Sequence, residues 1–123
     1  MNLVDSSGWV EFFFEGRNAA VFCKPILRTE ALIVPVVCIY EVFKKVCLAV
    51  NEARALQAVA QMKQGKVCVV TDEIALNAAQ LSIQYKLPMA DSLIYATAKE
   101  HKAVVWTQDV DFKDLPAVNY FPA

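Results

Sequence analysis

The 123-residue chain is long enough for one hydrophobic core and too short for two. Apolar residues make up 57% of it and glycines number only three, a composition that excludes a disordered or low-complexity protein. A net charge of −1 lacks the basic balance that marks many nucleic-acid binders, so any polyanion must be met by a local patch or through cations.

Residues 1–4 read as a short apolar strand, stopped by Asp5-Ser6-Ser7, which suit a helix N-cap. Residues 7–15 carry Trp9, Val10, Phe12, Phe13 and Phe14 at helical spacing, Gly16 punctuates, and 18–28 is a second helix. Most of these aromatic residues are expected in the core, with one or two left exposed for a dimer or partner groove. A fully apolar strand is predicted over 31–35. The helix over 36–50 carries Val36, Ile39, Tyr40, Phe43, Val46, Cys47 and Val50 as its apolar stripe. A helix over 52–64 is ended by Gly65 as a C′ residue. A buried strand over 66–70, helices over 73–85 and 90–101, and strands over 103–106 and 118–121 complete the chain.

No apolar run approaches the roughly 18–20 residues that cross a bilayer, and the start has no basic segment of a signal peptide. A soluble, cytoplasmic protein without a membrane partner is expected. Cys23, Cys38, Cys47 and Cys68 each sit in an apolar run and form no C-x-x-C pair, which points to reduced thiols rather than a disulfide framework.

Apolar strands alternating with helices imply a single α/β domain over 1–123, a three-layer α/β/α sandwich around a central parallel sheet. Ligands in such folds gather beyond the carboxyl ends of the strands. Acids stand there: Asp5 after the first strand, Asp109 and Asp111 after the strand ending at Trp106, Asp91 at the start of a helix, and Glu41 in the helix after the second strand. Each acid alone has a structural explanation. Asp5 suits a cap, Glu41 an i,i+4 pair with Lys45, Asp91 a helix-dipole residue, and Asp109 and Asp111 an Asx turn. Jointly, carboxylates converging on one sheet edge repel one another unless a cation intervenes. Oxygen donors without histidine or cysteine select hard ions such as Mg2+ or Mn2+, which activate water and hold phosphodiesters.

Other chemistries find little support. His101, the single histidine, belongs to no triad and reads as a helix-end residue, and neither Walker A nor G-x-G-x-x-G is present. Asp109-Val110-Asp111 resembles the haloacid-dehalogenase phosphotransfer motif but leaves too little chain for the rest of that machinery. A response-regulator receiver with Asp72 as phosphoacceptor lacks the second acid beside Asp5 and a late lysine.

Four stretches, 3–9, 39–44, 89–98 and 106–112, carry a resemblance that spans almost the whole chain. Leu3-Val4-Asp5-Ser6-Ser7, Ile39-Tyr40-Glu41-Val42, Met89-Ala90-Asp91-Ser92 and Thr107-Gln108-Asp109-Val110-Asp111 together resemble a PIN domain, specifically the VapC-like toxins of toxin–antitoxin pairs. The resemblance implies a PIN-like α/β/α sandwich and an endoribonuclease dependent on Mg2+ or Mn2+. It carries the family's catalytic and metal-binding quartet onto Asp5, Glu41, Asp91 and Asp109. Asp111 is then an outer carboxylate, and Ser6 or Thr107 orients ligands. An RNA substrate, a cognate antitoxin and a homodimer are implied as partners, with Lys24, Arg28, Lys44, Lys45 and Lys99 as candidates for phosphate contacts. The alternative is a PIN-like interaction module that binds protein or RNA without cutting.

Overall fold

A computed structural model describes the chain from Met1 to Ala123. Strands β1 (Asn2–Val4), β2 (Leu32–Pro35), β3 (Lys66–Cys68), β4 (Val104–Thr107) and β5 (Val118–Tyr120) form one sheet in the order β3-β2-β1-β4-β5. Every pairing is parallel, with Leu3 opposite both Ile33 and Val105. Helices α1 (Ser6–Phe13), α2 (Ala19–Leu27), α3 (Val36–Ala49), α4 (Glu52–Met62), α5 (Asp72–Tyr85) and α6 (Met89–Glu100) complete the expected α/β/α sandwich. None of them is long and apolar enough to cross a membrane.

Local signals set most of the helix starts. Asp5, Asn51 and Thr71 cap α1, α4 and α5 by accepting from the backbone N–H groups of Gly8, Arg54 and Ile74. Pro35 and Pro88 precede α3 and α6, where their fixed φ and missing N–H cost the helix nothing. The core lies where the central strands meet α1, α2, α3 and α6, with Leu3, Val4, Trp9, Phe22, Ile33, Ile94 and Val105 all fully buried. All four cysteines are free thiols, and Cys38 and Cys68 are buried. Burial pushes the Cys38 thiol well above its ordinary range.

Three expectations need correction. On α3 the expected Val46 is buried and Ile39, Phe43 and Cys47 pack against the core, but Cys38 and Val42 are buried where Tyr40 and Val50, 65% and 50% exposed, were expected. The predicted stripe was centred about one residue off because nearly every position of this helix is apolar. Residues 66–70 are not a buried strand. β3 is three residues long, takes the sheet edge, and leaves Val67, Val69 and Val70 exposed. Gly65 is not a left-handed helix terminus, since the left-handed residues are Glu15, Lys86, Lys102, Asp114 and Ala117. Its role is close approach: a Cβ there would lie 3.0 Å from the Leu32 carbonyl oxygen.

Of the first-helix aromatic residues, Trp9 is buried, Phe12 and Phe13 are partly buried, and Phe14 is 43% exposed. Gly8 lets α1 sit directly on β1 and α2, because a Cβ would meet Val4 Cγ1 at 2.6 Å and Phe22 Cδ1 at 2.8 Å. Both neighbours are buried and packed. Gly8→Ala is therefore expected to destabilise the fold by about 1–3 kcal/mol, the usual cost of overpacking, read as a lower denaturation midpoint at unchanged slope.

Candidate active site

The chain steps outward from β1 through β2 to β3, then returns to place β4 on the other side of β1. That reversal opens a crevice beyond the carboxyl ends of β1 and β4. Asp5 follows β1 there, and Thr107 ends β4. Asp5 is only 2% exposed and both its oxygens are engaged. Oδ1 accepts from Gly8 N–H at 3.0 Å and from Ser7 Oγ at 2.7 Å, and Oδ2 accepts from Thr107 Oγ1 at 2.7 Å.

Thr107 passes this order to the next loop. Its Oγ1 also accepts from Asp109 N–H at 2.9 Å, and Asp109 Oδ1 accepts from Asp111 N–H at 2.9 Å in a tight Asx turn. Ser7 Oγ accepts from Gln108 N–H at 3.2 Å, a second tie between the same two segments. Asp91 enters from the first turn of α6. Carboxylate oxygens of Asp91, Asp109 and Asp111 all lie within 4.8 Å of one another.

Geometry thus brings Asp91 and Asp109 together and sets Asp5 close enough for its charge to act on Asp91. Asp111, expected only as an outer acid, joins Asp91 and Asp109 directly. Glu41 lies outside that trio. It is drawn to the β1 side by Ser6, whose Oγ donates to Glu41 Oε1 at 2.6 Å. Ser7 was missed by sequence reasoning, since its contacts with Thr107 and Gln108 span about a hundred residues and leave no local pattern.

The electrostatics are those of crowded acid without internal compensation. Burial pushes the Asp5 carboxyl up to about 6 despite hydrogen bonds from Ser7, Thr107 and Gly8, and the charge of Asp109 adds to the rise. Asp91 is pushed up to about 7, first by burial and then by the charges of Asp109, Asp5 and Asp111. No lysine or arginine answers these charges, because the chain's single ion pair, Arg28–Glu30, lies on the surface. Balance must come from protons or from an external cation. An all-oxygen donor set of aspartates fits a hard divalent ion.

A neighbouring groove of about 370 Å³ is lined by Ser6, Ser7, Glu41, Lys45 and Gln108. Lys45 is the basic side chain on its wall. Lys99, by contrast, lies over the Tyr95 ring, 5.5 Å from its centroid. A larger, mostly apolar groove of about 420 Å³, with no acid in its lining, lies between Phe13 and Phe14 of the α1 segment and Val46, Val50, Arg54 and Gln57.

Comparison with known proteins agrees with this architecture. The family model described as PIN domain matches residues 3–118. No curated protein sequence matches the chain. Among solved structures, a toxin–antitoxin complex from Klebsiella pneumoniae superposes with a TM-score of 0.83 at 22% identity, covering 100% of both chains. VapC20 of Mycobacterium tuberculosis, a sarcin–ricin loop cleaving toxin, gives 0.77 at 13% identity over 91% of this chain and 92% of its own. FitAcB from Neisseria gonorrhoeae gives 0.73 at 22% identity over 99% and 98%. At these identities the likeness is one of fold.

Crowding has a measurable consequence in metal-free solution. Both folded-state pKa values, about 6 and about 7, lie above the ordinary 3.8. The folded chain therefore holds more protons than the unfolded one across that window. The stabilisation from these two groups is full below the ordinary value and is lost as pH rises through the folded values. In EDTA the melting temperature is expected to fall between pH 5 and pH 8, and a flat profile would contradict the crowding. Asp5→Asn is expected to raise the metal-free melting temperature at pH 7.5 by roughly 4 °C, the response of a domain this size to about 1 kcal/mol. Added divalent cation is expected to raise the melting temperature of the parent and not that of the variant.

Proposed function

The chain belongs to the PIN-domain family, and from that premise we propose that it is a Mg2+- or Mn2+-dependent endoribonuclease, the toxin of a toxin–antitoxin pair. The observation that carries the proposal is the uncompensated cluster of Asp91, Asp109 and Asp111 beside the buried Asp5, at the switch point of the sheet. The toxin assignment draws support from the fold likeness to the Klebsiella complex and to VapC20.

In this reading Asp5 and Asp91 would hold the ion, directly or through water, with Asp109 and Glu41 completing the quartet and Asp111 as a fifth carboxylate. A divalent cation held there would supply neutralisation of charge on the phosphodiester and a lowered pKa for water in the crevice. The chain's own residues do the positioning. Thr107 and Ser7 hold both oxygens of Asp5 in fixed directions, so that little reorganisation is needed when the substrate arrives. The Ser6 hydroxyl turns Glu41 toward the same edge. Lys45, on the wall of the adjoining groove, meets the phosphate backbone of RNA, a local cation in an otherwise acidic protein.

We assign the apolar groove beside Phe13 and Phe14 to an apolar segment of the cognate antitoxin. The protein acts in the cytoplasm as a homodimer. Non-catalytic binding of RNA or protein by the same fold is the alternative that the following test separates.

Purified protein is expected to cut RNA in Mg2+ or Mn2+ and not in EDTA, with Asp91→Asn slower by roughly 10²–10³-fold or more, on the scale of losing one electrostatic group from an active site. Retained metal and RNA binding without cleavage would move the assignment to the interaction module. Cleavage that persists in EDTA and in Asp91→Asn would exclude the carboxylate site. Growth arrest on expression, relieved by a small co-expressed antitoxin, tests the toxin role separately.

A further inference from the structure

A second set of potential ligands lies away from the carboxylates, at the sheet edge. Cys68, the last residue of β3, is 6% exposed, and its Sγ stands 3.6 Å from Nε2 of His101 at the C-terminus of α6. His101 Nδ1 lies 3.0 Å from the Thr97 carbonyl oxygen. A carbonyl only accepts, so Nδ1 carries a proton, and in the neutral form of the ring the lone pair of Nε2 faces the sulfur, whose own S–H points to the Lys66 carbonyl oxygen at 3.6 Å. A second nitrogen fixed by a backbone carbonyl is the usual support of a metal-ligating histidine.

The spacing also suits one ion. Zinc–sulfur and zinc–nitrogen bonds of about 2.3 and 2.0–2.1 Å at a tetrahedral angle separate the two donor atoms by about 3.5–3.6 Å. The observed 3.6 Å needs almost no adjustment. The pair opens into a cavity of about 520 Å³ whose wall includes Asp72, Glu73 and Glu100, against a single cation, Lys66. None of these carboxylates is in an ion pair and all are exposed; none has an oxygen within 4.8 Å of both donor atoms, so a carboxylate would reach the ion only by turning inward.

We propose that Cys68 and His101 form a binding site for Zn2+ or a comparably thiophilic divalent cation, with carboxylates of the same cavity or water completing the tetrahedron. The donor set differs in kind from the aspartate cluster, since sulfur and imidazole select borderline-soft ions where carboxylates select hard ones. The site joins the edge strand β3 to α6, whose other end carries Asp91 ten residues, or about 15 Å, away along the helix. Burial raises the Cys68 thiol, so the free protein holds it protonated and slow to oxidise, and metal binding releases that proton.

The test is independent of nuclease activity. The full-length reduced protein is titrated with Co2+, followed by Zn2+, and watched for the thiolate-to-cobalt charge-transfer band in the near ultraviolet. A band that Zn2+ displaces is expected, together with a higher melting temperature at saturating Zn2+. It should vanish in Cys68→Ser and persist in Asp91→Asn, which separates it from the carboxylate cluster. His101→Gln should weaken affinity by at least the 10–100-fold that loss of even an outer-shell partner costs. If Cys68→Ser fails to fold, His101→Gln decides alone. No band in the parent, a band surviving in Cys68→Ser, or unchanged affinity in His101→Gln each overturns the site.

Discussion

One buried carboxylate organises this molecule. Asp5 is both the N-cap of α1 and the group around which the carboxyl ends of β1 and β4 are tied, through Gly8, Ser7 and Thr107. An acid so deeply buried is normally neutral or paired with a base. Here three neutral donors make the charged form tolerable without removing the cost of burial. The capping role fixes where the first helix begins, and the helix start in turn fixes the direction of both oxygens. Local folding and the chemistry of the site thus draw on the same bonds.

The acids around Asp5 extend that logic. Asp109 reaches the site because Thr107 receives its backbone N–H, and Asp111 because it follows in the same turn. Asp91 arrives on a rigid helix, so its approach to the others cannot be relaxed by a loop swinging away. The resulting repulsion is held in the scaffold and awaits a counter-charge. An overall charge near zero conceals this local imbalance, which is why bulk composition said so little about function.

Much of the fold, and the acids that make up the candidate site, were legible in the sequence. The apolar strands at the centre of the sheet, the capping signature at Asp5 and the acids beyond the strand ends all depend on short-range pattern. What escaped depended on packing across long separations. The inward face of α3 was ambiguous because an almost wholly apolar helix has no strong periodicity, and neighbours chose Cys38 and Val42 over Tyr40. β3 looked buried because its valines are apolar, yet no pattern of residues says that a strand lies at an edge. Ser7 was hidden because its partners are on the far side of the chain, and Asp111 was underrated because the tightness of its turn is a property of the backbone.

The bond from Thr107 to Asp5 joins positions 102 residues apart, and Trp106 Nε1 donates to Asn2 Oδ1 at 3.0 Å beside it. β1, first of the five strands in chain order, is the middle strand of the sheet, and its neighbour β4 follows it only about a hundred residues later. Closing so long a loop is slow relative to local helix formation. Until that pairing forms, Asp5 and Asp109 remain apart and the acidic cluster is not assembled. Strand order alone thereby ties assembly of the carboxylate cluster to the longest-range pairing in the sheet, that of β1 with β4.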